Sequence, residues 1–512
     1  EKAELVKQGK IKKQKPLPEI SEEEKPFELP EGWEWVTFSH LGYFFGGKTP
    51  SKMKDEYWGG TIPWVTPKDM KTNLIVDSED KVTPLALEDG LTKVSPGSIL
   101  FVARSGILRR IFPVAITSIE CTVNQDIKVL SPFFSDISYY ILLMMNGFER
   151  YIIENLTKTG TTVESLLFED FISHPFMIPP FAEQNRILST VKKLMSLCDQ
   201  LEQQSLTTLD AHQQLVETLL GTLTDSQNAE ELAENWARIS EHFDTLFTTE
   251  ASVDALKQTI LQLAVMGKLV PQDPNDEPAS ELLKRIAQEK AQLVKEGKIK
   301  KQKPLPPISD EEKPFELPEG WEWCRLNDIS SKITDGDHKT PPRIAEGYKL
   351  LSAKNIRDGY LDYNNCDYIS AIDYEKSRER CLPEKGDLLI VSVGGTIGRS
   401  SLIKDCSDFA LVRSVAIIKP LLIEPEYLKL AMDSKLLQSM IHSHKRGGAQ
   451  PCLYLGEISK FLFPTPPLAE QRNIVNKVSI LMEKCRFLFL GLQSAQQTQL
   501  HVADALTDAA IN

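Results

Sequence analysis

Three short stretches of this sequence carry residue types that could take part in catalysis or bind a metal ion. Residues 178–181 (IPPF) have the two prolines and the aromatic residue of an adenine methyltransferase loop, but not the Asp, Asn or Ser that comes first in that loop. Residues 394–398 (GGTIG) follow an apolar run, but they lack the lysine of a phosphate-binding loop. His442 and His444 have no cysteine or carboxylate cluster beside them to complete a metal site. The sequence therefore predicts no catalytic site, metal or cofactor in this chain.

A stretch of 35 residues occurs twice, and the rest of the chain is arranged around it. Residues 1–35 and 289–323 are identical at 31 positions. Their offset of 288 residues is too long for a solenoid repeat and indicates a duplicated domain. In residues 36–178 and 324–465, short apolar runs alternate with turn residues, which predicts two strand-rich mixed domains.

A long helix is predicted after each of these domains. Both helices open on Pro-Pro-x-Ala-Glu-Gln, in which the prolines end the preceding strand and the glutamate suits the positive end of the helix dipole. Apolar residues then recur at heptad spacing, which predicts that the two helices pair as a coiled coil. The predicted seam consists of Ile187, Val191, Leu194, Cys198, Leu201, Leu215 and Leu219 in the first helix, and of Ile474, Val478, Leu481, Cys485, Leu488, Leu492, Ala495, Val502 and Leu506 in the second.

The composition excludes several classes of protein. A net charge of −13 argues against a protein that coats nucleic acid indiscriminately, and residues 222–280 are especially acidic, with 11 Asp and Glu against three Lys and Arg. None of the eight cysteines forms a CxxC pair, so neither a zinc site nor disulfides are predicted, and the reducing cytosol is favoured. No apolar run reaches the roughly 18–20 residues that cross a bilayer, and no signal peptide opens the chain.

The order of these pieces resembles the specificity subunit of type I restriction-modification enzymes. That order is a variable domain, a PPxAEQ helix, LKQTILQLAVMGKLVPQ, PFELPEGWEW, a second variable domain and a second PPxAEQ helix. The resemblance covers nearly the whole chain. It implies an α+β fold in which two mixed, strand-rich target-recognition domains are separated by two long antiparallel coiled-coil helices, as a pseudo-twofold internal repeat.

The resemblance also implies domain boundaries. The expected domains are 1–15, the end of an N-terminal conserved helical unit; 16–178, the first target-recognition domain; 179–303, a central conserved region with the first long helix; 304–465, the second target-recognition domain; and 466–512, the C-terminal conserved helix. Residues 1–15 match the tail of a helical unit whose front is 251–288, so the chain is expected to begin inside such a unit.

The same resemblance implies a function and partners. The chain would read a bipartite, asymmetric site in double-stranded DNA, one half with each domain, without being an enzyme itself. It would dock two methyltransferase subunits, which carry S-adenosylmethionine for adenine methylation, and restriction subunits, which use ATP and Mg. The expected location is the cytoplasm, with no membrane partner.

Polar residues in the turns of both domains are the candidates for contact with DNA. Arg and Lys pair with guanine, Asn and Gln with adenine, and Ser and Thr with either, while phosphates are held by Lys, Arg and hydroxyl groups. In the first domain the candidates are Lys48, Thr49, Ser51, Lys52, Tyr57, Arg104, Ser105, Arg109, Arg110, Asn124, Gln125, Lys158, Thr159, Thr161 and Thr162. In the second domain they are Asp337, His338, Lys339, Thr340, Lys354, Asn355, Arg357, Ser392, Thr396, Arg399, Arg413, His444, Lys445, Arg446 and Gln450. Trp58 and Trp64 are predicted to belong to the core.

Two other functions stay open on the sequence. The chain could be the recognition part of a fused restriction-methylation enzyme, although it lacks methyltransferase and nuclease motifs. It could also be a coiled-coil adaptor that binds no DNA, although two similar frames with different surfaces suggest two different ligands.

Overall fold

The computed structural model describes residues 2–8, 20–25, 27–160, 163–301, 304–405, 408–447 and 451–511. They form two units that divide between Ser205 and Leu206. Three candidate residues, Thr161, Thr162 and Gln450, lie outside the described residues, as do residues 9–15 of the first expected domain. Among the helices that are described, none is long and apolar enough to cross a bilayer.

The first unit contains the first strand-rich domain and the beginning of a long helix. Its strands are Glu34–Val36 (β1), Gly42–Gly46 (β2), Trp58–Val65 (β3), Leu74–Ile75 (β4), Asp80–Val82 (β5), Ile99–Val102 (β6), Arg104–Ser105 (β7), Val114–Thr117 (β8), Thr122–Val123 (β9), Ile127–Pro132 (β10), Thr157–Lys158 (β11), Glu164–Leu166 (β12) and Phe176–Ile178 (β13). Its helices are Lys2–Lys7 (α1), Phe38–Leu41 (α2), Pro84–Glu88 (α3), Ser138–Gly147 (α4), Glu149–Asn155 (α5), Phe168–Ser173 (α6) and the part of Phe181–Asp225 (α7) that precedes Leu206.

Two sheets form the centre of this domain. Strands β2, β10, β6, β8 and β4 form one sheet in that order, and β5, β3 and β9 form the other. Every residue of β6 and β8 is buried, which explains why these strands read as short continuous runs and not as an alternation. The rings of Phe38, Phe101, Phe171 and Phe176 contact one another within this core. Trp58 and Trp64 belong to a smaller apolar cluster, so the prediction that they are core residues is confirmed.

The second unit contains the second domain and the remaining helices. Its helices are the rest of α7, Ala229–Glu241 (α8), Phe243–Leu246 (α9), Glu250–Val265 (α10), Ala279–Lys295 (α11), Ala371–Arg380 (α12), Pro425–Asp433 (α13), Lys435–His444 (α14), Leu455–Ile458 (α15) and Leu468–Ile511 (α16). Its strands are Glu322–Arg325 (β14), Ser330–Asp335 (β15), Tyr348–Leu351 (β16), Ile356–Arg357 (β17), Tyr360–Leu361 (β18), Asp367–Ile369 (β19), Leu388–Val391 (β20), Ser400–Leu402 (β21), Phe409–Leu411 (β22), Val415–Pro420 (β23) and Leu462–Thr465 (β24). Most of the acidic middle segment is helical, in α8, α9 and α10.

The two domains share the order of their main strands, although β4 adds a fifth strand to the larger sheet of the first domain. The order β15-β23-β20-β21 repeats β2-β10-β6-β8, and β19-β16-β22 repeats β5-β3-β9. In the smaller sheets, β3 pairs with β9 and β16 with β22 in parallel. The first and last strands of each domain form an antiparallel pair, β1 with β13 and β14 with β24. The duplication is therefore retained in the fold, although the sequences of the two domains have diverged.

The Pro-Pro-x-Ala-Glu-Gln motif has the same structural role at the start of both long helices. Gln184 Nε2 donates to the Pro179 carbonyl over 2.9 Å, and Gln471 Nε2 donates to the Pro466 carbonyl over 3.0 Å. Both glutamines are buried. A buried carbonyl needs a donor, and here the glutamine provides it while it holds the helix start against the last strand of the domain.

The first long helix follows the predicted seam only in part, since Ile187 and Leu219 are half-buried against apolar cores but other seam residues are not. Leu201 and Leu215 of α7 are more than half exposed. The residues that α7 buries in the core of the second unit are Val216, Leu220 and Leu223. The face of α7 that meets this core is thus one position further round the helix than the heptad pattern predicts, because a helix of 3.6 residues per turn drifts from a strict seven-residue repeat.

The second long helix follows its predicted seam over the first half. Ile474, Val478 and Cys485 of α16 are buried, and α10 packs along this helix. Val502 and Leu506, further along the same seam, are exposed. That the two long helices pair with each other stays a prediction.

Candidate nucleic-acid interface

In the first domain, the loop after β2 is held against the end of a parallel strand. Lys48 N donates to the Val123 carbonyl over 3.1 Å. A Cβ atom added to Gly47 would lie 1.9 Å from the same oxygen, so only glycine allows the backbone to pass there. The first residues of the loop that carries the candidates Lys48, Thr49, Ser51 and Lys52 are therefore held in place by β9.

The second domain repeats this close approach at Gly336. Asp337 N donates to the Leu411 carbonyl over 2.9 Å, and a Cβ atom on Gly336 would lie 2.0 Å from that oxygen. We expect Gly336→Ala to lower the free energy of unfolding by about 1–3 kcal/mol, the usual cost of overpacking, in urea unfolding of the full chain. Gly395→Ala is the matched control, since its added Cβ meets nothing within 4 Å. Equal unfolding midpoints for the two variants would contradict this account.

A pocket of about 550 Å³ lies beside the loop in the first unit. Its lining includes five candidate residues, namely Lys52, Arg104, Ser105, Asn124 and Gln125. They come from two loops and from strand β7, which are separate in the sequence, so only the fold brings them together. Asp80 and Asp126 also line the pocket, which therefore offers both hydrogen-bond donors and acceptors. The edges of base pairs present the same mixture, whereas phosphates present acceptors alone.

Lys68 lines this pocket too and was missed by the sequence analysis. It lies in the turn at residues 66–69, which Asp69 closes by accepting the Thr66 N–H over 2.8 Å. The turn at residues 352–355, which contains Lys354, is closed in the same way. An alignment of the two turns could have found Lys68.

Arg104 and Lys158 are far apart in the sequence but lie in one row of a small sheet. Lys158 pairs with Ser165 on β12, and Ser165 pairs with Arg104 on β7. Residues paired across strands point to the same face, and neighbouring strands are about 4.8 Å apart. Two exposed cations thus project from one face roughly 10 Å apart.

The second domain has the same row with different residues. Bridges pair Val393 with Cys452 and Cys452 with Arg446. Arg446 therefore occupies the position that Lys158 has in the first domain, while an apolar residue stands in the position of Arg104. Arg446 is exposed, and its Nη2 lies 3.5 Å from Glu457 Oε1. At this row, one domain presents two cations and the other presents one.

The loop after β15 is held by an arginine that the sequence analysis missed. Arg380 Nη2, at the end of α12, donates to Asp335 Oδ1 over 2.6 Å and lies 2.8 Å from His338 Nε2. Asp337 accepts a hydrogen bond from Ser377 on the same helix. The candidates Asp337 and His338 are thus part of an internal network.

Three candidate cations of the second domain already have acidic partners: Lys354 with Asp367 at 3.1 Å, Arg357 with Asp362 at 3.9 Å and Arg399 with Asp358 at 3.7 Å. Each cation is partly exposed. Pairs of this kind contribute roughly 0–1 kcal/mol, so a phosphate group can replace the acid at little cost. Arg343, which also pairs with Asp367 at 3.0 Å, is a further cation that was not predicted.

Several candidates are internal. Asn355 is fully buried, and its Nδ2 donates to the carbonyls of Asp362 and Asn365, each over 2.9 Å. Ser392 is buried and donates to the Arg413 carbonyl. The structure places these two side chains inside turns, which they support, and not at the surface. Their residue types alone gave no signal of this, because a turn-stabilising and a base-contacting amide look alike in sequence.

The remaining candidates of the first domain differ in how firmly they are held. Tyr57 is buried and accepts a hydrogen bond from Lys54, and Thr49 Oγ1 donates to Gln125. Arg109 pairs with the buried Glu164. The candidates of both domains that are exposed and not discussed above are Ser51, Arg110, Thr159, Lys339, Thr340, Thr396, Arg413, His444 and Lys445. Within the described part of the chain, no three His, Cys, Asp or Glu side chains are grouped so as to hold a metal ion.

Comparisons with protein families, with characterised proteins and with solved structures each give matches. A family model for the type I restriction modification DNA specificity domain matches residues 30–211 and 318–488. The EcoAI and EcoEI specificity subunits of type I restriction enzymes, both from Escherichia coli, are 47% and 44% identical to this chain, and each alignment covers 100% of this chain and 88% of the relative. A solved chain from work on complex assembly and conformational transition of the type I R-M system aligns with 94% of this chain and 98% of its own, at 16% identity and a TM-score of 0.48.

Proposed function

The chain belongs to the type I restriction-modification DNA specificity family, and on that basis we propose that it reads a bipartite, asymmetric site in double-stranded DNA, one half with each domain. It is the non-catalytic DNA-recognition subunit of such a system. We assign the first half-site to residues 36–178 and the second to residues 324–465.

The observation that carries this proposal is one frame with two different surfaces. The order of the main strands is shared by both domains, and Gly47 and Gly336 anchor equivalent loops. The side chains at equivalent surface positions differ, as Arg104 and Val393 do. A fixed frame with altered donors and acceptors is what two readers of different base sequences need.

Partners follow from the same family membership. We propose that the central and C-terminal conserved regions, residues 179–303 and 466–512, dock two methyltransferase subunits, and that restriction subunits join for cleavage. In this arrangement S-adenosylmethionine belongs to the methyltransferase subunits, and ATP and Mg belong to the restriction subunits. The complex methylates adenine in DNA, and it is located in the cytoplasm.

Methylation mapping tests the proposal. Cells that express this chain with its methyltransferase subunit are expected to carry methyl-adenine in a two-part site with unequal halves and a constant spacer. Cells that express the methyltransferase subunit alone are the control and should lack it. If the chain is an adaptor that binds no DNA, the cells should carry no methylated site. If it is part of a fused enzyme, it should methylate DNA without the partner subunit. Either result would overturn the proposal.

A further inference from the structure

Met53 has an unusual position for an apolar side chain. It is 95% exposed, more than any other large apolar side chain in the described part of the chain. Single exposed apolar residues are common and need no explanation by themselves. Met53, however, lies between Lys52 and Lys54, in the loop that carries several candidate DNA contacts.

The backbone around Met53 forms a closed turn. Lys54 N donates to the Ser51 carbonyl over 3.2 Å, which leaves Lys52 and Met53 as the two central residues. The same carbonyl accepts the Trp58 indole N–H over 3.2 Å. Met53 therefore lies at the apex of a turn whose base is fixed by two hydrogen bonds.

Both sides of the turn are tied to the domain. Lys54 Nζ donates to the Tyr57 hydroxyl over 2.6 Å, and this hydrogen bond raises the pKa of Lys54, so the lysine stays charged. On the other side, the Trp64 indole N–H donates to the Lys48 carbonyl over 3.2 Å. A turn anchored at both ends presents its apex in one place, which reduces the entropy lost when the apex binds.

The turn also borders the candidate interface. Lys52 lines the same pocket as Arg104, Asn124 and Gln125. DNA that contacts this pocket would meet Lys52 and then Met53, the next residue in the chain. Cations on both sides of Met53 suit the phosphates on both sides of a groove.

We propose that Met53 is a wedge that enters the base stack of double-stranded DNA at the first half-site, and this rests on the proposed function. Proteins that kink DNA insert apolar side chains such as Met, Phe or Leu between base pairs, and the unstacking of the bases costs free energy. The unbranched side chain of methionine adapts to such a narrow gap. Contacts of the wedge and of its flanking lysines offset the cost of unstacking.

Base fluorescence tests the wedge directly. The full chain, in complex with its methyltransferase subunit, is bound to a duplex with the mapped site in which 2-aminopurine replaces one base at a time. This base brightens when it is unstacked, so the wild-type complex should give a fluorescence rise at one step in or beside the first half-site. Met53→Ala and Met53→Gln should lose the rise, and Met53→Leu should keep it. The affinity should change by less than about tenfold, because unstacking cost and wedge contacts offset each other.

Phe134→Ala is the matched control. Phe134 is 69% exposed and comes just after β10, whereas Asn124 comes just before it. The length of the strand separates the two residues by roughly 20 Å. This variant should keep the full fluorescence rise. A normal rise with Met53→Ala, or no rise at any position with wild-type protein on a bound duplex, would overturn the wedge and leave the proposed function intact. A wild-type complex that does not bind the duplex at all would overturn both.

Discussion

A chain in which residues 324–465 are replaced by a second copy of residues 36–178 is expected to direct methylation to a palindromic site made of two first half-sites. The original asymmetric site should lose methylation almost completely. This is the largest change in function that we predict, since it replaces every base contact of one half-site at once.

The structure supports these graft boundaries. In each domain, the start and the end of the grafted segment lie on the first and last strands, which pair with each other. Glu34 is opposite Ile178 in the first domain, and Glu322 is opposite Thr465 in the second. The repeated PFELPEGWEW precedes the start of each domain. The Pro-Pro-x-Ala-Glu-Gln helix start follows the end of each domain. The grafted domain thus enters and leaves through segments that match its own.

Methylation mapping in cells that express the grafted chain measures the outcome. The reciprocal graft, with residues 324–465 in both places, is the matched control and should give a palindrome of the second half-site. If the grafted chain still methylates the original site, residues 324–465 do not determine the second half. If both grafts are folded and methylate no site, the two domains are not interchangeable readers.

Arg104→Ala is expected to weaken binding to the target duplex by about 1–3 kcal/mol, or roughly 5- to 150-fold. Arg104 is exposed, lines the pocket of the first unit and has no ion-pair partner among the described residues, so its guanidinium is available to a ligand. Its backbone is held in β7 by pairing with β12, which limits the entropy lost on binding.

Titration of wild-type and variant complexes against the target duplex and a scrambled duplex measures this effect. Arg150→Ala is the control with the same change of charge, since Arg150 is exposed on α5 and pairs only with Glu154 in the described structure. If Arg104 contacts a base, the variant should lose affinity for the target and not for the scrambled duplex. If it contacts phosphate, both affinities should fall together. Unchanged affinity for both would remove Arg104 from the interface.

Patterns in the sequence predicted the two strand-rich domains and the starts of the two long helices. The repeat at an offset of 288 residues predicted two copies of one domain, and the apolar runs at 61–65, 98–103 and 127–130 became parts of β3, β6 and β10. The Pro-Pro-x-Ala-Glu-Gln motif predicted where α7 and α16 begin. Each of these signals is read from the order of residues along the chain, so no tertiary information is needed to find it.

The composition of the interface was decided by tertiary structure. Arg104 and Lys158 share a row because β12 pairs with both of their strands. Lys52 and Asn124 line one pocket because the loop after β2 is fixed to the end of β9. Asn355 is internal because the fold of the following turn places the Asp362 and Asn365 carbonyls around its amide. Strand pairing between distant segments leaves no pattern among neighbouring residues. The sequence alone therefore predicted which residue types could contact DNA. Only the fold decided which of these residues share a surface.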